Sequence, residues 1–75
     1  MTLSIELGRE DDGRWIAEVL DIPGVMCYGS TREEAISSAE RVASEVIADR
    51  VAHGEMPASA FNVTFVVLDE QMARS

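Results

Sequence analysis

Four carboxylates around the second predicted strand are the side chains best suited to acid–base or metal chemistry. They are Asp11 and Asp12 before the strand, and Glu18 and Asp21 at its other end. Such catalysis needs carboxylates or histidines that converge in one pocket. The two pairs belong to turns at opposite ends of a strand, and their spacing is not typical of a metal site. We therefore interpret them as solvated turn acids.

His53 and Cys27 are the remaining candidates for chemistry. His53 falls in the last turn of a predicted helix, where it would stabilise the negative end of the helix dipole. Cys27 points inward on a predicted strand and has no histidine near it in sequence, so we interpret it as a small buried hydrophobe. The sequence contains no Gly-rich phosphate loop, Cys/His cluster or basic run. We therefore predict that the chain is not an enzyme and holds no metal and no cofactor.

One long helix, from Thr31 to about His53, organises the elements that carry these residues. Thr31 is followed three residues later by Glu34, a spacing typical of a reciprocal capping box. Gly54 suits the left-handed position after the helix, and Pro57 prevents the helix from resuming. Apolar residues recur at a spacing of three and four and predict one buried stripe: Ala35, Ile36, Ala39, Val42, Ala43, Val46, Ile47 and Val51.

Four predicted strands surround the helix, at residues 2–7, 14–19, 25–29 and 61–68. The first two alternate between apolar and polar residues and are joined through an Asp-Gly sequence that favours a hairpin. Pro23 and Gly24 predict a type II turn before the third strand. The fourth strand is apolar on both faces.

The element order β-β-β-α-β predicts an α+β domain with a four-stranded mixed sheet and the helix on one face. Short turns make the first three strands antiparallel, and the long helix returns the chain parallel to the first strand. A right-handed crossover favours strand order 3-2-1-4, with a fourth strand outside the third as the alternative. Small residues at Ala17, Cys27 and Gly29 would leave a shallow groove for the helix.

The register of the first hairpin is predicted from its hydrophobic alternation. We expect Leu7 opposite Trp15, Ile5 opposite Ala17 and Leu3 opposite Val19. This pairing keeps the apolar partners on one face, whereas a slip of one residue would set Leu3 against Glu18.

Size and charge limit the range of functions. A chain of 75 residues forms one small domain, for which we expect an ordered core over about 2–68 and a frayed tail at 69–75. A net charge of −8 repels phosphate backbones, so we expect no direct contact with nucleic acid but attraction to a basic protein. The single cysteine, the absence of a signal peptide and the absence of a membrane-spanning apolar stretch favour a soluble, cytoplasmic protein.

The face of the sheet opposite the helix is predicted to be an interface. It carries a mixture of polar residues and five large apolar ones: Ile16, Met26, Tyr28, Val66 and Leu68. In a monomer these side chains would remain exposed to water. We therefore expect a homodimer, or a dimer of dimers, formed through this face or through the edge of the fourth strand.

Three separate motifs resemble those of one known family. Residues 12–24 read Asp-Gly-Arg-Trp-Ile-Ala-Glu-Val-Leu-Asp-Ile-Pro-Gly, residues 28–31 read Tyr-Gly-Ser-Thr, and residues 33–35 read Glu-Glu-Ala. Their order and spacing resemble the HicB-like antitoxin family over about Leu3 to Leu68. Ser30 stands where that family usually has Asp, and Ile22 where Leu is common.

The resemblance implies a degenerate ribonuclease-H-like half with the same β-β-β-α-β order and without catalytic carboxylates. It implies a partner, a small basic HicA-type toxin that cleaves mRNA, whose RNA-binding or active face the antitoxin would cover. We expect Asp11, Asp12, Glu18 and Asp21 to contact that toxin. Many members of the family continue into a DNA-binding domain, but the acidic charge of this chain favours no DNA contact. The alternative function is a homo-oligomeric structural or small-molecule-binding module that has no toxin partner.

We expect the purified chain to show no nuclease activity, because no catalytic arrangement of carboxylates is predicted. Incubation of the chain with RNA and a divalent metal ion is the measurement. Cleavage that survives repurification and disappears in Glu18→Gln or Asp21→Asn would contradict this expectation.

Overall fold

The computed structural model describes residues 1–69, in which one mixed sheet carries one long helix. The elements are β1 (Thr2–Arg9), β2 (Trp15–Val19), β3 (Met26–Gly29), α1 (Arg32–Ala52), a 3₁₀ turn (Ala58–Phe61) and β4 (Thr64–Asp69). The strand order is β3-β2-β1-β4, with β2 antiparallel to both β1 and β3 and with β4 parallel to β1. The predicted α+β fold and its strand order 3-2-1-4 are confirmed.

β4 begins at Thr64 rather than at Phe61, because a 3₁₀ turn precedes it. The N–H of Ala60 donates to the carbonyl of Pro57 at 2.9 Å, which buries Ala60 and leaves Phe61 exposed. The predicted start of the fourth strand was therefore wrong. The predicted frayed tail began at residue 69, but Asp69 ends β4, and residues 70–75 lie outside the described residues.

The predicted hairpin register was wrong by two residues. The structure pairs Ile5 with Val19, Leu7 with Ala17 and Arg9 with Trp15. The short loop sets this register: the N–H of Gly13, at φ +92°, donates to the Glu10 carbonyl at 2.9 Å, and the N–H of Glu10 donates to the Arg14 carbonyl at 2.8 Å. A shift of two residues leaves every side chain on its own face. Hydrophobic alternation therefore cannot distinguish the two registers.

The core lies between the sheet and α1, and among residues 1–68 no polar side chain is buried in it. It consists of Leu3, Ile5, Leu7, Ala17, Val19, Ile22, Val25, Ala35, Ala39, Ala43, Ile47 and Ala60. The helix contacts mainly β3 and β2, touches β1 much less, and has almost no contact with β4. The helix is therefore displaced towards one side of the sheet.

Gly29 determines how closely α1 approaches the sheet. A Cβ atom on Gly29 would lie 2.5 Å from the backbone nitrogen of Ala35 and 2.9 Å from the Cβ of Glu34. The first turn of the helix thus rests directly on the end of β3. At the other two small positions of the predicted groove, Ala17 is fully buried and Cys27 is half-buried against the core.

The start of α1 differs slightly from a reciprocal capping box. The Oγ1 of Thr31 accepts the N–H of Glu34 at 3.1 Å, as predicted. The Oε1 of Glu34 accepts the N–H of Ser30 at 2.7 Å, one residue before the cap. The turn between β3 and α1 is therefore held from both sides by one Glu side chain and one Thr side chain.

The end of α1 has the geometry predicted for a left-handed glycine. Gly54 has φ +76°, and its N–H donates to the Val51 carbonyl at 3.1 Å. The N–H of Glu55 donates to the Arg50 carbonyl at 2.8 Å. This pair of bonds is the Schellman arrangement, which satisfies two carbonyls that the helix leaves free.

We expect Gly29→Ala to destabilise the fold by about 1–3 kcal/mol, because the added methyl group must displace the helix backbone. Urea unfolding followed by circular dichroism measures the change. Gly8→Ala is the matched control, since Gly8 is also in a strand and a Cβ there meets no atom within 4 Å. Equal stabilities of the two variants would show that the close helix contact is not a constraint.

Candidate functional site

The helix-free face of the sheet brings together the acidic and apolar residues that are exposed. It is formed by alternate residues of the four strands: Thr2, Ser4, Glu6, Gly8, Ile16, Glu18, Met26, Tyr28, Thr64, Val66 and Leu68. One row of partners crosses the whole sheet in the order Leu68, Glu6, Glu18, Met26. This row places two carboxylates side by side between two large apolar side chains.

Glu6 and Glu18 form a like-charged pair at the centre of this face. They are direct partners across β1 and β2, and both side chains are exposed. Within residues 1–69, no Lys, Arg or His lies within ion-pair distance of either carboxylate. Like charges directly opposite each other on a sheet are destabilising. The pair therefore weakens the isolated domain and favours contact with a cation.

An open depression of about 180 Å³ lies beside this pair. Gly8 has no side chain to cover Ile16, its partner on β2, and Met26 forms part of the opposite wall. The depression is thus lined both by apolar residues and by the two glutamates. Such a surface suits a long cationic side chain, whose stem is apolar and whose end is charged.

Arg14 lies at one end of the same face, but its guanidinium already interacts with Tyr28 and Asp12. Its guanidinium stands 4.5 Å from the ring centre of Tyr28, and its Nε donates to the Oδ2 of Asp12 at 2.9 Å. The pKa of Asp12 lies below its ordinary value, chiefly because its carboxylate accepts the N–H of Arg14, and further because of the guanidinium charge. Arg14 and Asp12 thus form an exposed ion pair within the hairpin loop.

The structure does not bring the four predicted acids together. Asp11 and Asp12 lie in the β1–β2 loop, Asp21 lies beyond the other end of β2, and Glu18 lies between them on the helix-free face. Asp21 has a local role, since its Oδ2 accepts the N–H of Ser4 at 2.7 Å. This bond continues the pairing of β1 with the chain after β2. Contact of any of these acids with a toxin stays a prediction.

Glu6 was missed as a candidate because the predicted register was wrong. In that register Glu6 would face Ile16, and Glu18 would face Ser4. The observed register moves Glu6 directly opposite Glu18. The signal that would have identified the pair is the short loop closed by Gly13, which extends β1 to Arg9.

The five residues predicted as an oligomer interface all belong to the helix-free face. Tyr28 and Met26 have 48% and 52% of their surface exposed, Val66 and Leu68 have 43% each, and Ile16 is half-buried. The predicted interface and the predicted toxin-contact residue Glu18 thus share one face. Their roles in assembly and in toxin binding stay predictions.

Cys27 lies on β3 but is half-buried rather than buried as predicted, and His53 is at the end of the helix. His53 follows α1, and its Nδ1 lies 2.7 Å from the carbonyl oxygen of Asp49. Among residues 1–69, no three Asp, Glu, His or Cys side chains lie close enough together to hold a metal ion. Over the same residues, no helix has both the length and the apolar character needed to cross a bilayer.

Comparison with known proteins found no matching family model, no matching curated protein and no matching solved structure. The resemblance to HicB-like antitoxins therefore stays a hypothesis based on the three sequence motifs. The geometry of the helix-free face is the second, independent basis for a function.

We expect Glu18→Gln to stabilise the isolated domain by about 0.2–1 kcal/mol at low salt, because it removes the repulsion from Glu6. Urea unfolding at low and high salt measures the gain, which should shrink as salt screens the pair. Glu10→Gln is the matched control, since it removes the same charge from an exposed loop position. Equal effects of the two substitutions would show that general charge reduction, rather than the Glu6–Glu18 pair, is responsible.

Proposed function

We propose that this chain is an antitoxin of the HicB-like kind, which binds a small basic HicA-type ribonuclease and covers its RNA-binding or active face. The observation that carries the proposal is the Glu6–Glu18 pair, two adjacent carboxylates without a cation among residues 1–69, set in an exposed apolar surface. The three motifs of the hairpin, third strand and helix start support the choice of partner.

A cationic side chain of the partner would be held by Glu6 and Glu18 together. A guanidinium group presents several N–H donors in one plane and can bond to two carboxylates at once. Its presence between them converts a repulsive pair into two attractive ones. The apolar stem of such a side chain would lie against Ile16 and Met26, which line the depression.

The remaining acids contribute mainly to the approach of the partner. The net charge of −8 attracts a basic protein over distances comparable to the Debye length. Asp11 is exposed in the β1–β2 loop and is free to act in this way, whereas Asp12 and Asp21 are bound to Arg14 and Ser4. We therefore assign binding to Glu18 with Glu6, and long-range attraction chiefly to Asp11.

This function requires neither catalysis nor a cofactor. Neutralisation is steric, since an antitoxin that occupies an RNA-binding face excludes RNA without a chemical step. A toxin that cleaves mRNA acts where mRNA is translated, so the proposed location is the cytoplasm. The acidic surface also argues against direct binding of this chain to DNA or RNA.

A neighbouring gene for a short, Lys/Arg-rich, His-containing protein would identify the toxin to test. We expect that protein to bind the chain and to lose its RNA-cleaving activity when bound. Glu18→Gln should weaken binding at least tenfold through faster dissociation, because it removes one of two carboxylates from the same cation. Charge reversal at Asp11 and Asp12 should slow association, and this effect should fall as salt rises past about 0.15 M.

Glu55→Gln is the matched control, because Glu55 is an exposed carboxylate beyond the end of α1. Surface plasmon resonance at several salt concentrations separates the association and dissociation rates. Electrostatic covering by the helix-free face would be excluded if Glu18→Gln and Glu55→Gln changed the rates equally and salt did not change them. Absence of any such neighbouring gene would favour the homo-oligomeric module.

A further inference from the structure

β4 is exposed on the helix-free face, only partly covered on the other face, and open along its outer edge. Val66 and Leu68 are each 43% exposed on the helix-free face, and Phe65 and Val67 are only half-buried on the other face, because α1 lies over β2 and β3. β4 is the last strand of the sheet order, so no strand among residues 1–69 covers its outer edge. From Val63 to Leu68 the chain carries no charged residue.

The outer edge presents a defined set of backbone groups. The N–H of Thr64 donates to the carbonyl of Met1 at 2.9 Å, so Thr64 directs its backbone groups towards β1. Successive residues of a strand direct these groups to alternate sides. The N–H and C=O groups of Phe65 and Val67 therefore point outward, away from β1, and are available to pair with another strand.

The two edges of the sheet differ in how they are protected. β3 at the other edge is only four residues long, follows the Pro23–Gly24 turn, and is overlaid by the helix at Gly29. Short length and a covering helix are the usual means by which proteins prevent pairing at an edge. β4 has six residues and contains no Lys, Pro or bulge that would prevent pairing. Pairing with another strand is therefore favoured at β4.

We propose that β4 pairs antiparallel with β4 of a second copy of this chain, about a two-fold axis that passes beside Val66. In this register Phe65 faces Val67 of the second copy, and the two residues exchange both backbone hydrogen bonds. Val66 faces Val66 of the second copy, and Thr64 faces Leu68. The two sheets become one continuous eight-stranded sheet, in which both helices lie on the same side.

A second copy fits this strand better than a partner of another kind. Two Phe65 and two Val67 side chains meet on the helix side of the joined strands, and they cover surface that α1 leaves open. The segment from Val63 to Leu68 carries no charge, so pairing about Val66 sets no two charged residues of β4 opposite each other, although each copy has a net charge of −8. A basic partner would find no carboxylate there between Val63 and Leu68. This dimer does not depend on the proposed antitoxin function, and it leaves Glu6 and Glu18 accessible.

A disulfide scan tests the register. We expect Val66→Cys, in a Cys27→Ala background, to form a covalent dimer on mild oxidation, because the facing Cα atoms of such an antiparallel pair are about 4.5 Å apart. Thr64→Cys alone should stay monomeric under denaturing conditions, whereas the Thr64→Cys, Leu68→Cys double variant should cross-link. Tyr28→Cys is the matched control, with similar exposure on the helix-free face, and should not cross-link. Cross-linking of Tyr28→Cys in place of Val66→Cys would overturn the proposal in favour of a face-to-face dimer.

Sedimentation tests the assembly without cross-linking. The wild-type chain should be dimeric at micromolar concentration, and Val66→Asp should be monomeric with its helical circular dichroism retained, since it places two carboxylates at the two-fold axis. Tyr28→Asp should remain dimeric. A monomeric wild type, or a dimer that Tyr28→Asp dissociates and Val66→Asp does not, would overturn the proposal. The Val66→Asp variant can also be tested for toxin binding. That measurement tests the proposed function separately from the dimer.

Discussion

The close contact between Gly29 and the first turn of α1 is the constraint on which the rest of this fold depends. Without a Cβ atom at Gly29, the backbone of Ala35 can rest on the end of β3. Buried alanines at positions 35, 39 and 43 continue this close approach along the helix. Because the helix is held against β3 and β2, it does not extend over β4 at the far edge of the sheet. The exposure of β4 is thus a consequence of a contact on the other side of the sheet.

The helix-free face departs from the residue pairing that would make the isolated sheet most stable. An isolated sheet would be more stable with opposite charges, or an apolar pair, at positions 6 and 18. The chain instead has two glutamates there, flanked by Met26 and Leu68. Sequences generally satisfy local rules throughout a fold, and departures from them are concentrated at sites of function. The departure at Glu6 and Glu18 lies on the face that also exposes Met26, Tyr28, Val66 and Leu68, which is why we place the proposed partner there.

Local sequence signals were sufficient for the elements and their order, because each turn and cap has its own chemistry. Thr31 and Gly54 delimit the helix, and Pro23 with Gly24 forms the turn before β3. The hairpin register could not be obtained from alternation, since a period of two is unchanged by a shift of two residues. Glu6 was missed for that reason alone. The start of β4 was misplaced because Phe61 has strand propensity, whereas the turn that buries Ala60 depends on tertiary contacts with α1.

The parallel pairing of β1 with β4 also determines the order in which the sheet can be completed. β1, β2 and β3 are joined by short turns, and α1 follows directly, so these elements can form from neighbouring stretches of chain. β4 pairs with β1 from the opposite end of the described residues. During synthesis from the N-terminus, the outer edge of β1 therefore stays open until β4 has left the ribosome. Because contacts between distant residues form slowly, we infer that docking of β4 is the late step of folding, and that a half-finished chain exposes the unpaired backbone edge of β1 to its neighbours.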